Sequence, residues 1–241
     1  MNIHSIHTGL FKEGESLPHF LRKNIKTLHE KSVVVITSKI VALAEKRTIP
    51  VSKMKNKKEK IIRNESSVAY KTKYVWLTLK DDLLMANAGI DESNGNGRYI
   101  LLPKNSMRAA QTLQKQIKKM YGIRQVGVLI TDSHTAPLRA GVTGIALGYA
   151  GFKGIYDYRG KRDLFGRPFS FSKVNVADSL AAAAVLTMGE GNERKPLAVI
   201  KNVPVTFTDK TPKRELIIPF ADDMYLPYLK NLRNQTGSSK K

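Results

Sequence analysis

The chain has 241 residues, of which 41% are hydrophobic and 25% are charged, and it contains no cysteine. This composition is typical of one or two globular domains, and it excludes a disordered polyelectrolyte, a disulfide-bonded miniprotein and thiolate chemistry. Lysine and arginine number 41 against 20 acidic residues, and the resulting net charge of +21 attracts polyanions, nucleotides and phosphates.

The N-terminal part of the chain predicts short strands alternating with helices. Residues 2–7 are typical of a strand, and apolar residues recur at helical spacing over residues 16–31. The β-branched run at 33–37 predicts a buried strand. We expect Ser38 to cap a short helix over residues 40–45.

The middle of the chain begins with a basic stretch. Residues 46–60 are expected to form a mobile connector. Residues 74–79 and 83–87 predict two paired strands around the turn Lys80-Asp81-Asp82. Residues 106–121 then predict a helix that Gly122 terminates.

The C-terminal half predicts a second set of strands and helices. A buried strand is expected at 125–131, ending at Asp132, and the glycine-rich segment 142–151 is either a strand or a tightly packed turn. Further strands are expected at 169–175 and 196–202. Helices are expected at 179–188, where Asn175 or Asp178 begins the helix, and at 225–232. The strands and helices mix without strict βαβ alternation, which favours an α+β fold with mixed sheets over a doubly wound one.

Three carboxylates stand out because each lies in a turn-rich segment beside small residues: Asp91, Asp132 and Glu190. Glycine beside a carboxylate lets the backbone approach a ligand closely, and converging carboxylates hold one or two divalent ions against a phosphate chain. For each site alone, the alternative is an ordinary turn or cap residue. The sequence does not establish that the three converge.

The basic residues carry no motif that identifies a ligand. Much of the excess charge lies in residues 46–63, where a solvated face is the commoner explanation. The aromatic interleaving of a surface for single-stranded nucleic acid is not evident. Residues 157–163 either bind an anion or form a charged turn with internal ion pairs.

Four segments in a fixed order carry a family resemblance: NAGIDESN at 87–94, ITDS at 130–133, DLFGR at 163–167 and MGEG at 188–191. With TSK at 37–39 and AE at 44–45, they resemble the coenzyme F420-0:L-glutamate (γ-glutamyl) ligase family over about residues 3–203. The resemblance implies a two-part α+β fold, a homodimer with the site near the subunit interface, GTP as the nucleotide, and two Mg²⁺ or Mn²⁺ ions. It divides the chain into a catalytic unit of two intertwined subdomains at 1–203 and a C-terminal extension with a disordered basic tail at 204–241.

The resemblance also assigns roles to residues. The implied metal ligands are Asp91, Asp132, Ser133 and Glu190, and the catalytic group comprises Asp91, Asp132 and Arg139. The implied nucleotide contacts are Ser38, Lys39, Asn94, Met188, Gly189 and Gly191.

The chain departs from the family pattern at positions around the site. Leu43 stands where many members have lysine, and Ala136 replaces the first of two arginines after Asp132, whereas the second is kept as Arg139. Arginine suits bidentate phosphate binding, so its loss argues against a phosphodiester acceptor such as F420-0 and slightly favours tetrahydrofolate. Both acceptors stay open.

The sequence therefore predicts a ligase that joins L-glutamate to the carboxylate of a cofactor through an acyl phosphate, with GTP or ATP as cosubstrate. The alternative is a non-catalytic basic member that binds RNA or another polyanion. No apolar run reaches membrane-spanning length and no signal peptide is evident, so the expectation is a cytoplasmic protein with no membrane partner.

Overall fold

In the computed structural model, the residues described are 1–51, 57–212, 214–227 and 229–230. They divide into two compact units, and the chain leaves the first unit and returns to it. The first unit holds Met1–Lys46 and Pro103–Leu216, and the second holds Arg47–Leu102 together with the segment that begins at Ile217. The domain boundary expected at residue 203 stays a prediction.

The elements follow one another without a repeating unit, as the α+β prediction requires. The strands are β1 (Asn2–Ile6), β2 (Ser32–Thr37), β3 (Thr48–Pro50), β4 (Val68–Lys71), β5 (Trp76–Lys80), β6 (Leu83–Ala86), β7 (Arg98–Ile100), β8 (Val126–His134), β9 (Thr143–Ala150), β10 (Ile155–Asp157), β11 (Lys173–Asn175) and β12 (Leu197–Lys201). The helices are α1 (Leu17–Asn24), α2 (Ser38–Ala44), α3 (Lys57–Glu65), α4 (Ser106–Tyr121) and α5 (Val176–Met188), with 3₁₀ turns at Asn87–Gly89 and Phe220–Asp222.

The first unit is built on a five-stranded sheet in the order β1-β12-β2-β8-β9. Strands β2 and β8 are parallel, and the other neighbours are antiparallel. One face packs against α1 and α4, and the other packs against α5, so side chains from β2 are buried on both faces. This burial explains the uninterrupted β-branched run, because a strand covered on both sides needs no polar alternation.

The sequence left the glycine-rich segment at 142–151 as either a strand or a tightly packed turn. In the structure it forms strand β9, and two helices pack closely against it. A Cβ atom built on Gly144 would overlap the backbone of Ala181 in α5. A Cβ atom on Gly148 would overlap the backbone of Ser106 at the start of α4. Glycine at these two positions of β9 therefore lets both helices approach the edge of the sheet.

Helix α1 is shorter than the predicted helix at 16–31. It ends at Asn24 because Ile25 turns to an extended conformation, where its carbonyl accepts a hydrogen bond of 2.5 Å from the Tyr121 hydroxyl. Ile25 and Leu28 are nevertheless buried in the core. Their helical spacing in the sequence thus reflects core contacts made by an extended segment.

Other boundaries also differ from the prediction. Ser38 is the first residue of α2 rather than its cap, because Thr37 holds the cap position without a side-chain hydrogen bond. Strand β8 continues past Asp132 to His134, where it still pairs with the start of β9. Of the strand expected at 169–175, β11 holds the last three residues. Of the helix expected at 225–232, residues 226–227 and 229–230 are helical, and 228 and 231–232 lie outside the described residues.

The second unit contains the sheet β4-β5-β6 and the pair β3–β7. The predicted connector is wrong for residues 48–50 and 57–60, which belong to β3 and α3, and residues 52–56 lie outside the described ranges. Helix α3 forms because Ile61 and Ile62 are buried against Tyr99 and Leu101. The predicted turn is confirmed, since Asp81 and Asp82 both take the left-handed conformation of a two-residue hairpin loop.

No helix in the described ranges is long and apolar enough to cross a lipid bilayer.

The second unit contains one partly buried ion cluster with a testable pH dependence. Glu65 accepts from Lys80 at 2.8 Å and from Arg47 at 2.6 Å. Burial raises the pKa of Glu65, but the bonds and charges of Lys80 and Arg47 outweigh burial, so its pKa lies below the ordinary value of 4.5. The stabilisation is therefore present above pH 4.5 and is lost as pH falls below it through the lowered pKa.

We expect Glu65→Gln to lower the free energy of unfolding at pH 7 by about 1–2 kcal/mol after solvent screening, because two cations lose their anion. The deficit should shrink below pH 4.5. The measurement is urea unfolding followed by the fluorescence of Trp76, the only tryptophan, which lies in the second unit. The control is Glu59→Gln, which breaks an i,i+4 pair with Arg63. An equal loss of unfolding free energy in both variants would contradict the stabilising role of Glu65. A loss in Glu65→Gln that does not depend on pH would contradict it as well.

Candidate functional site

In the first unit, the parallel strands β2 and β8 end at the same edge of the sheet. Thr37 pairs with Thr131, so the start of α2 at Ser38 and the carboxylate of Asp132 belong to this edge. Ligands of open sheets with parallel strands bind outside the carboxyl ends of those strands. The predicted nucleotide residues Ser38 and Lys39 thus share an edge with Asp132, with Ser38 buried and Lys39 half-buried.

The end of α5 brings a second carboxylate to the same strand. The Ser133 hydroxyl donates to Oε2 of Glu190 at 2.6 Å, although the two residues are 57 positions apart in the chain. Both residues are exposed. Two of the predicted metal ligands are therefore in direct contact, and a third, Asp132, is the neighbour of Ser133 on β8.

The strand geometry places these groups on two faces. Successive side chains of a strand point to opposite sides, so Ser133 shares a face with Thr131, and Asp132 lies on the other. The hydroxyl of Thr131 is buried and has no hydrogen-bond partner in the part of the chain that the structure describes. A buried hydroxyl without a partner is uncommon, and a bound water or ligand would satisfy it. The sequence interpretation passed over Thr131, although it lies inside the ITDS segment.

The loop after α5 holds an internal anion. Gly189 ends the helix with a φ of 84°, a backbone conformation that favours glycine. Gly191 donates its backbone N–H to Oε2 of Glu193 at 2.8 Å, and a Cβ atom on Gly189 would overlap the Glu193 carboxylate. The backbone assigned to the nucleotide thus already surrounds a carboxylate. The side chain of Met188 is buried in the core, so only its backbone belongs to this loop surface.

Arg139 lies in the exposed loop between β8 and β9. Its backbone N–H donates to the Ala136 carbonyl at 3.3 Å, which closes a tight turn. Leu138 within this turn has a φ of 57° and is fully exposed. The loop follows the strand end that carries Asp132, so Arg139 is available to an anionic ligand at that edge.

Asp91 and Asn94 belong to the second unit. Asp91 follows the 3₁₀ turn at Asn87–Gly89, and its two carboxylate oxygens accept from the backbone N–H and the hydroxyl of Ser93 at 2.7 and 2.8 Å. Asn94 is exposed in a left-handed conformation. Lys58 of the basic helix α3 lies 3.6 Å from the neighbouring Glu92. The loop is therefore a rigid, polar turn with a lysine beside it.

The oxygen donors suit the predicted ions. Carboxylates and a hydroxyl are the ligands that Mg²⁺ and Mn²⁺ prefer, so these donors fit such ions in type, with Ser133 and Glu190 in contact and Asp132 on the other face of β8. Within the described ranges, no three acidic or histidine side chains gather closely enough to hold a metal by themselves. The convergence of Asp91 with the other carboxylates, and the two-ion assignment, stay predictions.

Comparison with known proteins identifies the family. The family model described as F420-0:gamma-glutamyl ligase matches residues 5–202. The chain belongs to this ligase family. The resemblance inferred from the four ordered segments is thereby confirmed.

Individual relatives match most of this ligase-family chain. It is 34% identical over 215 residues to the coenzyme F420:L-glutamate ligase of Methanococcus maripaludis strain C7, covering 82% of this chain and 86% of the relative. It is also 34% identical over 188 residues to the protein of the same name in Methanocaldococcus jannaschii, covering 76% and 75%. The protein of that name in Methanosarcina mazei is 29% identical, covering 94% and 95%. The range matched by the family model, residues 5–202, includes Ser133 and Glu190.

Proposed function

We propose that this protein is a nucleotide- and metal-dependent γ-glutamyl ligase that adds L-glutamate to the carboxylate of a cofactor. The observation that carries the proposal is the contact between Ser133 and Glu190 beside Asp132, at the end of a strand that runs parallel to β2. Membership of the ligase family, and relatives named coenzyme F420:L-glutamate ligase, support the reaction class.

The reaction proceeds in two displacements. An oxygen of the acceptor carboxylate attacks the γ-phosphorus of GTP or ATP, and the nucleoside diphosphate leaves. The amine of glutamate then attacks the carbonyl carbon of the acyl phosphate, which expels phosphate and releases a proton to solvent. An amide bond forms, and the energy of one phosphoanhydride bond drives it.

The residues of this chain bind and orient the reactants. The proposed ligands of divalent ions are Asp132, Ser133 and Glu190 of the first unit and, separately, Asp91 of the second; such ions would neutralise phosphate charge when bound. Ser38 and Lys39, which begin the helix after β2, are the proposed contacts to nucleotide phosphates. Arg139 presents a guanidinium that suits a carboxylate of glutamate or of the acceptor.

The proposed acceptor is coenzyme F420-0, because the relatives are named for F420. Tetrahydrofolate is the second candidate, on the single observation that Ala136 stands where an arginine would bind a phosphodiester. Ala136 is exposed in the turn that also contains Arg139, so its substitution changes the surface of this loop without disturbing the core.

One experiment distinguishes the acceptors. The purified protein is incubated with L-glutamate, Mg²⁺ or Mn²⁺, GTP or ATP, and either F420-0 or tetrahydrofolate, and the products are analysed by mass spectrometry. We expect a mass gain of one glutamyl unit on F420-0. A mass gain on tetrahydrofolate alone would support the proposed ligase reaction and would identify tetrahydrofolate as the acceptor. No gain on either acceptor, with phosphate released independently of both, would overturn the proposal.

The carboxylate of Glu193 accepts from the Gly191 N–H, which is assigned to the nucleotide, so we expect Glu193 and the nucleotide to compete for this N–H. We expect Glu193→Gln to lower the KM for the nucleotide by about 3- to 10-fold, because an anionic phosphate no longer displaces a charged group from the Gly191 N–H. The measurement is initial rate against nucleotide concentration. The control is Glu13→Gln, which removes one exposed negative charge elsewhere in the first unit. An unchanged KM, or an equal change in the control, would place the nucleotide away from this loop.

A further inference from the structure

A two-stranded ribbon leaves the sheet of the first unit at its far edge. Strands β10 and β11 pair, and backbone hydrogen bonds continue the pairing towards a tip at Asp163–Arg167. We call residues 155–175 the aromatic ribbon. The N–H groups of Phe165 and Arg167 donate to Oδ1 of Asp163, so the tip is an ordered turn.

The ribbon carries aromatic rings and cations together. Between Ile155 and Asn175 the chain has five aromatic residues, five basic residues and two acidic ones, whereas aromatic residues make up 7% of the whole chain. The aromatic residues are Tyr156, Tyr158, Phe165, Phe169 and Phe171, and the basic residues are Arg159, Lys161, Arg162, Arg167 and Lys173. The sequence interpretation missed this interleaving, although all of these residues lie in the continuous segment 155–175.

The rings form a platform with a lysine on it. Tyr156 and Tyr158 have centroids 4.6 Å apart, and Tyr158 lies 6.0 Å from Phe169. The Lys161 ammonium lies 4.2 Å from the Tyr156 centroid and 5.2 Å from that of Tyr158. Phe165 and Phe171 are about nine-tenths exposed. Exposed rings of this size indicate a surface that binds a partner.

The net positive charge of the ribbon indicates which kind of partner it binds. Asp157 is paired with Arg159 at 2.7 Å, which holds the pKa of Asp157 at about 2, so this part of 157–163 is a charged turn with an internal ion pair. Asp163 is engaged by the turn at the tip. The ribbon keeps a positive excess in a chain of net charge +21, so a polyanion meets attraction there.

The basic surface continues beside the ribbon. An open cavity of about 700 Å³ is lined by residues that include His29, Lys31, Lys201 and Phe207. Phe207 pairs with Phe152, which lies just before the ribbon. Phe152 is fully buried and Glu30 also lines the cavity, so the cavity adjoins the base of the ribbon without adding an exposed ring to it.

This edge is separate from the candidate ligase site. Thr143 of β9 pairs with His134 near Ser133, whereas Ala150 pairs with Val128 at the other end of the strand pair. Eight residues of strand span about 25 Å. The base of the ribbon therefore lies at the opposite end of β9 from the Ser133–Glu190 pair.

We propose that the aromatic ribbon is a docking surface for single-stranded nucleic acid. Unpaired bases stack on exposed rings, and lysine and arginine neutralise the phosphates between them. A duplex hides the base faces, so a single strand binds more tightly. The contact is sequence-tolerant because every base has a face that stacks on a ring.

The test uses the full chain and fluorescence anisotropy with labelled 20-nucleotide oligo(U), oligo(dT) and a duplex of the same length. The double variant Phe165→Ala/Phe171→Ala should weaken single-strand binding by about 5- to 100-fold, the range expected for losing a stacked base. Its matched control is Leu186→Ala, an exposed apolar residue on α5. Binding of both single strands more tightly than the duplex supports the proposal.

A second pair of variants tests the phosphate contacts. Arg167→Gln/Lys173→Gln should weaken binding and reduce the slope of log affinity against log salt by about two, one for each contact. The control Lys115→Gln/Lys119→Gln removes the same charge from α4. Equal effects of the two pairs would show a general charge effect and overturn the proposal.

Light scattering tests the alternative partner of the ribbon, which is a second copy of the chain. Should Phe165→Ala/Phe171→Ala convert a dimer into a monomer and leave nucleic-acid binding unchanged, the ribbon is an interface between copies and the proposal is overturned. An unchanged oligomeric state with weakened single-strand binding supports it. No single-strand binding at low salt also overturns it.

Discussion

Asp132→Asn is expected to reduce ligase turnover by about 100-fold or more without unfolding the protein. The amide keeps the shape of the carboxylate but removes the charge that would hold a divalent ion against the nucleotide phosphates. Asp132 lies at the end of β8, half-buried, where a neutral side chain of equal size leaves the strand pairing with β9 intact. The measurement is the rate of phosphate release in the presence of acceptor and glutamate.

Thermal unfolding supplies the second readout for this variant. Without metal, the melting temperatures of the wild type and of Asp132→Asn should agree closely. Adding Mn²⁺ should raise the wild-type temperature more than that of the variant, because a ligand that binds only the folded state stabilises it. The control is Asp209→Asn, an exposed aspartate that pairs with Lys118. Wild-type activity in Asp132→Asn would refute the metal-site assignment.

Gly144→Ala is expected to destabilise the first unit severely, by about 3 kcal/mol or more. The added methyl group would meet the backbone of Ala181, and a helix backbone moves only if α5 leaves the sheet. Because α5 packs Ala177, Ala181 and Ala184 on β2 and β8, such a shift opens one half of the core. Urea unfolding followed by circular dichroism measures the loss.

The control for this prediction is Gly9→Ala. A Cβ atom on Gly9 has no heavy atom within 4 Å, and its backbone does not take the left-handed conformation. Its stability should therefore change by less than about 0.5 kcal/mol. A stable Gly144→Ala protein with an unchanged midpoint would mean that the contact between β9 and α5 is looser than the structure has it.

The sequence predicted the elements whose cause is local. The β-branched run of β2 and the Gly122 terminus of α4 depend on neighbouring residues, and both are confirmed. Of the two starts left open for α5, Asn175 is the N-cap and Asp178 lies inside the helix, which begins at Val176 rather than at 179. The sequence prediction was wrong where a residue distant in the chain determines the end of an element. The carbonyl of Ile25 is taken by Tyr121, nearly a hundred residues away, and the apolar pattern alone did not reveal that α1 ends before it.

In the candidate site, too, the sequence predicted features that depend on neighbouring residues and missed those that depend on distant ones. The sequence singled out Asp132 and Glu190 from their turn-rich surroundings, but only the packing of α5 on the sheet shows that Ser133 and Glu190 touch. No recognisable sequence pattern marks the hydroxyl of Thr131, which has no partner among the described residues, or the carboxylate of Glu193 beside the glycine loop. Both depend on what surrounds the side chain in three dimensions.

The discontinuity of the first unit bears on how the chain folds. Parallel β2 and β8 must find each other across a long intervening segment, and loop closure of that length is slow. The segment is tied at its ends: Arg47 donates to the Leu102 carbonyl at 3.2 Å, and Glu45 accepts from the Lys104 N–H at 2.7 Å. If Arg47–Leu102 collapses first, it brings its two ends together and turns a distant pairing into a nearly local one. The rate of sheet formation then follows the stability of the inserted segment.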